Sequence, residues 1–528
     1  MKSNFFKYIF IIFVVVIVIF AIYMIYFKKE DKQNNIEENI VEETTEIKDL
    51  RLGISNYDTI NPLISNNKEV LNIGKLIFEP LMNVTEDYKL EMCLATECSK
   101  TSDTTYVIKI DNNKKWHDGS PLIAKDIQFT IDRLKEGKSI YSYNVEKVIS
   151  VEILDASTVK INLSEEVPFF EYNLTFPIMP NNYYLGEDFY ESAKTPQGTG
   201  MYKISKIDSS YIVLEKNLKW WNIKNKDSKI EKIYIKQYSE VGELYNSFKL
   251  GNIDIFTTKN ENLEQYIGTI GYANTQVKAR EFDYLAFNCQ NAVLEDSNVR
   301  KAINYAIDKT NILSSIYNNQ GYVTEFPLDY GNYLYIRETN SLGYNPEQSK
   351  KILQENGWEY KNKRWQKTEN YKTKRLNLTL TVNSTNIKRV AVAENIKNQL
   401  QDIGINVTIQ KVSDSKYKQI LENKSYEMIL TGVYNSYSPD LTSFFGGNNL
   451  QNYSNNEINE ILSQIKNIKE EQTLKQKYER IVNIFFDEQP FIGIYRGRAN
   501  IVKNQNLAGE IKGNNYFSYY GLENWYRI

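Results

Sequence analysis

"KKWHDGSPLIAKDIQFTIDRLK", Lys114 to Lys135, sets the only histidine of the 528-residue chain beside an aspartate. Asp118-Gly119-Ser120-Pro121 is turn chemistry: an Asx residue, a glycine for unusual dihedrals and a proline that fixes φ. Past the turn, Ala124, Ile127, Ile131 and Leu134 share one helical stripe, and Phe129 falls off it. His117 therefore sits at a strand-to-turn junction ahead of a surface helix. An imidazole oriented by a carboxylate would make an acid/base pair. Neighbours in an extended segment point to opposite faces, so His117 and Asp118 are not expected to bond directly. The expectation is a structural histidine.

The rest of the chain alternates strands and helices from Leu50 onward. "LNLTLTV" (Leu376 to Val382) puts Leu376, Leu378, Leu380 and Val382 on one face, a period-2 strand. Ala393, Ile396, Leu400 and Ile403 follow at helical spacing, and Gly404 ends that helix. "INVTI" then alternates Ile405, Val407 and Ile409. This is a β-α-β unit, whose strands are expected to be parallel. Ser297 is placed to cap a helix carrying Val299, Ala302, Ile303, Ala306 and Ile307. "NPEQSKKILQENG" has Asn345 at the cap, Pro346 at the first helical position and Gly357 as the stop. The fold class is α/β.

Composition excludes several functions. A net charge of -2 lacks the basic excess of a dedicated nucleic-acid binder. One histidine excludes zinc sites built on two imidazoles. No cofactor is implied. Cys93, Cys98 and Cys289 cannot staple a chain of this size; Cys93 and Cys98 are close enough in sequence to bridge or to stay as two thiols. The 40 Tyr and 23 Phe fit either a binding cleft or the codon bias of an AT-rich genome.

The N-terminus implies a membrane. Tyr8 to Phe27, "YIFIIFVVVIVIFAIYMIYF", has no charge, amide or proline, and its 20 residues make a helix of about 30 Å, enough to cross a bilayer core. A cleavable leader would have a shorter apolar run and a small-residue cleavage site. A short N-terminus, 1–7, ahead of a large domain is expected inside, leaving the bulk outside. Residues 28–48 form a linker whose "QNNIEENIVEETTEIK" stretch carries five Glu, a solvated tether.

"KWHDGSPLIAKDIQFTIDRLK" resembles the W-x-D-G-x-P-x-T-A-x-D-V-x-F signature of the family 5 extracellular solute-binding proteins, receptors of ABC importers for peptides, dipeptides or nickel. Ile123 replaces a helix-capping Thr, so that helix should start more weakly. Further resemblances follow in order: "NPL" (Asn61 to Leu63), "IFEPLM" (Ile77 to Met82), "TPQGTGMYKISKID" (Thr195 to Asp208), "LAFNCQN" with "DSNVRKAINYAIDKTNIL", and "YNPEQSKKILQENGW". The resemblance implies a two-lobed periplasmic-binding-protein-like (type II) fold with an extra subdomain. Lobe I is expected to comprise 49–80, 196–283 and 490–528, the subdomain 81–195, and lobe II 284–489.

It also implies a site. "GVYNSYSPD" (Gly432 to Asp440) corresponds to the W-x-x-D-Y-x-D-P loop of peptide binders, whose first Asp meets a peptide ammonium. Tyr434 and Tyr437 take the aromatic places, Ser436 replaces that Asp, and Asp440 comes one place late. A neutral Ser gives no charge-assisted bond to an ammonium. The expected ligand-binding residues are Asn61, Asn288, Tyr434, Asn435, Ser436, Tyr437 and Asp440. The implied function is a monomeric, membrane-anchored receptor that passes an oligopeptide or other small solute to an ABC permease. A sensing or adhesion protein on the same fold, or a carboxylate-dependent hydrolase, are the competing classes.

Overall fold

Period-2 apolar segments pair into one mixed ten-stranded sheet. The computed structural model describes residues 49–527, apart from 56, 209–210, 260–262, 329–330 and 336–341. The expected membrane span and the 28–48 linker lie outside the described residues. Among the described residues no helix is long and apolar enough to cross a membrane.

The sheet contains β1 (Leu50–Ser55), β2 (Tyr202–Ile207), β3 (Tyr211–Lys216), β4 (Lys232–Tyr238), β5 (Ile255–Thr258), β6 (Tyr272–Phe287), β7 (Asn377–Asn383), β8 (Asn406–Val412), β9 (Met428–Tyr434) and β10 (Phe491–Asn504). Their spatial order is β8-β7-β9-β6-β10-β5-β1-β4-β3-β2. Strands β6 and β10 are the longest, at 16 and 14 residues, and both pass from one core to another. Val277 and Ile501 pack with Leu50 and Leu52 in the first core. Further along, Leu285, Phe287, Ile492 and Ile494 enter a second core on one face, while Phe282, Tyr284 and Phe491 enter a third. Burial on both faces is why this stretch is apolar at nearly every position. The pairing of β6 with β10 shifts register between Lys278 and Phe282, and again between Asp283 and Tyr284. Such irregularities bend and twist a strand pair.

Helix α1 (Lys68–Gly74) follows β1, capped by the Asn67 side chain. Just beyond it the chain 76–77 is crossed by the "GTG" segment. Gly200 N donates to Ile77 O at 2.9 Å and Tyr202 N to Leu76 O at 3.0 Å. A Cβ on Gly200 would lie 2.6 Å from Leu76 O, and one on Gly198 would overlap the Ile77 carbonyl. These glycines permit backbone to lie on backbone. Glu79 of "IFEP" completes the join, accepting from Thr199 Oγ1 at 2.8 Å, Trp220 Nε1 at 3.0 Å and Trp221 Nε1 at 2.8 Å. Burial raises the pKa of this carboxyl against those bonds.

His117 belongs to the same join. Gly198 N donates to His117 Nδ1 at 3.3 Å, which leaves the ring proton on Nε2, 3.2 Å from Gly200 O. Burial pushes the imidazole from its usual 6.5 to about 4. Asp118 spends Oδ1 on Ser120 N and Oγ, an Asx turn. The expected separation of His117 from Asp118 is what the structure shows. Helix α2 (Ala124–Leu134) buries Ala124, Ile127, Ile131 and Leu134 as the stripe required. Ile123 offers no capping oxygen, but Asp126 supplies the reciprocal half of the cap, accepting from Ile123 N at 3.0 Å. It also accepts from Trp116 Nε1 at 3.2 Å and Asn181 N at 2.8 Å. Helix α2 packs on a separate four-stranded sheet spanning residues 95–163. That sheet's Ile108, Val159 and Ile161 nevertheless share the first core with β1.

Helix α3 (Ser297–Tyr305) is capped by Asp296, whose Oδ1 accepts from Asn298 N, so the expected cap at Ser297 is one residue late. Arg300, 3% exposed, gives its donors to the carbonyls of Leu294, Glu295, Glu488 and Gln489. Helix α4 (Pro346–Glu355) starts at Asn345 as its sequence requires. Helix α5 (Ile387–Asp402) joins β7 to β8, which are parallel in the register Asn377 to Asn406. Gly404 follows it at φ 88°, where a Cβ would overlap the Tyr360 ring. The three cysteines are free thiols.

Candidate functional site

A cavity of about 310 Å³ opens where β6 and β10 change cores. Several segments reach it, among them Pro327, Leu328 and Asn332. The end of β9 and the loop to helix α6 (Thr442–Phe445) supply Val433 to Leu441, apart from Pro439. Strand β6 supplies Lys278, Ala279 and Arg280, and β10 supplies Arg496. Tyr88 comes from a small separate cluster with Val84, Tyr172 and Tyr516, and Asn515 precedes Tyr516.

The loop is fixed by its own polar groups. Asn435 N donates to Arg280 O at 2.9 Å, and Arg280 Nε returns a bond to Asn435 O at 2.6 Å. Asn435 Nδ2 reaches Pro327 O. Tyr437 donates its hydroxyl to Asn515 O at 3.0 Å, spanning the cavity wall. Its ring lies under the Arg280 guanidinium at 4.6 Å, stacks with Tyr88 at 6.2 Å and meets Tyr516 edge-on at 5.0 Å. Ser436 is exposed, and its Oγ accepts from Ser438 N at 3.1 Å. Asp440 Oδ1 accepts from Thr442 N at 2.9 Å and Thr442 Oγ1 at 2.5 Å, starting α6. Burial raises this carboxyl's pKa, opposed by those two bonds.

Of the expected residues, Tyr434, Asn435, Ser436, Tyr437 and Asp440 line one cavity. Asn61 and Asn288 do not. Asn61 accepts from Leu63 N at 3.1 Å, and Asn288 donates to Tyr426 O at 3.0 Å. Asn61 holds a turn ahead of α1, and Asn288 ties the end of β6 to Tyr426. The sequence reading missed Tyr88, Lys278, Arg280, Arg496 and Asn515. The signal for two of them was there: in "VKARE" Lys278 and Arg280 alternate with buried Val277 and Ala279, the pattern of a strand with one polar face.

The cavity wall carries three cationic side chains and one acid. Among the described residues no three His, Cys, Asp or Glu side chains converge as a metal cage would need. The walls are aromatic and polar, a surface suited to holding a solute.

Comparison with known proteins gives the lineage. The sequence profile of the bacterial extracellular solute-binding proteins, family 5 Middle, matches residues 89–455. The oligopeptide-binding protein AppA of Bacillus subtilis (strain 168) is 24% identical over 505 residues, covering 90% of this chain and 91% of AppA. The dipeptide-binding protein DppE of the same organism is 24% identical over 482 residues, covering 83% and 84%. The solved structure of HbpA2 from Haemophilus parasuis superposes with a TM-score of 0.74 at 19% identity, covering 89% of this chain and 99% of that one. It shares the two-lobed α/β fold. Proteins of this lineage are substrate-binding receptors that work with ABC transporters and are not enzymes. The chain belongs to the bacterial extracellular solute-binding proteins, family 5.

Proposed function

We propose that this chain is a membrane-anchored extracytoplasmic receptor that captures an oligopeptide between two lobes and delivers it to the permease of an ABC importer. The observation that carries this reading is the place of the cavity. It lies where the two longest strands change cores, and its wall is the loop that resembles the peptide-contacting loop of the family. The oligopeptide- and dipeptide-binding relatives favour a peptide over other solutes. Lobe I is 49–80, 196–283 and 490–528, the subdomain is 81–195, and lobe II is 284–489; the change of core on β6 and β10 falls close to those limits. Residues 8–27 anchor the receptor, 28–48 tether it, and it works as a monomer.

Titration of the full-length protein in detergent with di- to nonapeptides, followed by tryptophan fluorescence, tests the reading. Saturation at one peptide per chain is expected, and Tyr437→Ala should weaken it at least tenfold. Hydrolysis of the peptides, or no saturation with any of them, overturns it. N-terminal sequencing tests the anchor: mature protein beginning after residue 27 contradicts it.

A further inference from the structure

Helix α1 brings Lys68 and Lys75 to aromatic rings at the edge of the cleft, where Tyr434 lines the cavity and Tyr516 packs behind Tyr437. Lys68 and Lys75 are seven residues apart, so they fall on nearly the same side of the helix, about 10 Å apart along its axis. Lys75 Nζ lies 3.5 Å from the centroid of the Tyr516 ring. Lys68 Nζ lies 5.7 Å from that of Tyr434. Arg280 lies over Tyr437, which meets Tyr516 edge-on. Among the described residues no carboxylate oxygen lies within 4 Å of these three side chains, and Glu281 acts on Lys68 only at longer range, whereas lysines elsewhere in the chain are widely paired. The Tyr516 hydroxyl, on a residue 5% exposed, is buried and likewise finds no acceptor. The nearby acids are already engaged: Glu281 pairs with Lys259, and Asp440 Oδ1 caps α6.

A buried hydroxyl left without an acceptor is costly, and an ammonium over an aromatic face is attracted to the ring whenever it is charged. We infer that Lys75, with Lys68, Arg280 and the Tyr516 hydroxyl, forms an anion-recognising face of the cleft, and that the receptor selects peptides bearing carboxylates beyond the terminal one. This rests on the peptide reading above and adds a charge preference to it. Burial already holds the Lys75 ammonium down at about 7. An anion placed beside it restores the charged form, so binding near neutral pH takes up a proton. Ser436 fits the same preference, because the loop offers no carboxylate at that position to favour an ammonium.

Calorimetry of the full-length protein at pH 7.5 with Ala-Glu-Ala, Ala-Gln-Ala and inorganic phosphate tests the inference. Ala-Glu-Ala should bind at least tenfold tighter than Ala-Gln-Ala. Runs in HEPES and Tris should show net proton uptake with Ala-Glu-Ala. Lys75→Met should abolish that uptake and bring the two peptides within about threefold of each other. Lys68→Met, at an exposed position, should narrow the gap without altering the fold. Equal binding of the two peptides overturns the charge preference and leaves the peptide reading standing. Tight binding of phosphate with neither peptide bound overturns the peptide reading and keeps the anion face. A gap that survives both lysine substitutions removes these residues from the recognition, and binding of none of the three probes overturns both readings.

Discussion

His117→Asn converts the structural reading of the signature segment into a stability measurement. The asparagine oxygen can still accept from Gly198 N, as Nδ1 does, but it has no titrating proton. In the folded protein burial lowers the imidazole to about 4, against 6.5 when exposed. The unfolded chain therefore binds more protons between those values. The stabilisation from keeping this ring neutral is complete above pH 6.5 and is lost as pH falls toward 4. Between pH 7 and pH 4.5 a displacement of that size is worth at most about 2 kcal/mol, and partial solvent access to the ring reduces it to about 1 to 2. Glu79 and Asp126 act in the opposite sense, since their raised pKa values favour the fold as pH falls. The variant retains both, so subtracting its curve from that of the wild type isolates His117. Urea unfolding at a series of pH values between 4.5 and 7 is the assay. The wild type's advantage over His117→Asn should shrink by about 1 to 2 kcal/mol on acidification, with peptide affinity at pH 7 unchanged. An advantage that is constant or grows as pH falls would refute the neutral, buried ring, and a hundredfold loss of affinity with the fold intact would refute its structural role.

Gly198→Ala should fail to fold or unfold well below the wild type by thermal melting, because the added Cβ meets the Ile77 carbonyl rather than a side chain that can move. Asp126→Ala leaves the Trp116, Ile123 and Asn181 donors without their acceptor and should cost about 2 to 4 kcal/mol in urea unfolding, with binding retained in the folded fraction. N-acetylation of a bound peptide should change its affinity by no more than a few-fold, and Ser436→Asp should introduce a preference for the free amine worth about 1.5 to 3 kcal/mol by calorimetry. If acetylation weakens wild-type binding tenfold and Asp440→Asn removes the difference, Asp440 rather than Ser436 faces the amine.

The elements were legible where one local pattern decides them. Leu376 to Val382, Ala393 to Ile403 and Ile405 to Ile409 gave a parallel β-α-β unit because period 2 and period 3.6 are set by burial on one side. Asn345-Pro346 gave a helix start for the same local reason. The cap at α3 was misplaced by one because Asp296 and Ser297 are adjacent capping residues, and only backbone geometry chooses between them. The site was legible as one loop, Tyr434 to Asp440, because its residues are contiguous. Its other walls come from Lys278, Arg280 and Arg496 on β6 and β10, where these strands cross between cores, and from Tyr88 and Asn515 far apart in the chain. No spacing along the chain encodes that convergence. Asn61 and Asn288 show the converse: their side chains are spent on the local fold, on Leu63 N and on Tyr426 O, and not on the cavity.

The central claim is that the cavity walled by Tyr434 to Asp440 holds a peptide. Mass spectrometry of the small molecules released when the protein, purified from its membrane fraction, is denatured tests this most directly. Peptides at about one per chain from the wild type, and far less from Tyr437→Ala purified alongside, are the predicted result. A stoichiometric solute of another chemical class, or peptides recovered equally from both proteins, would contradict it.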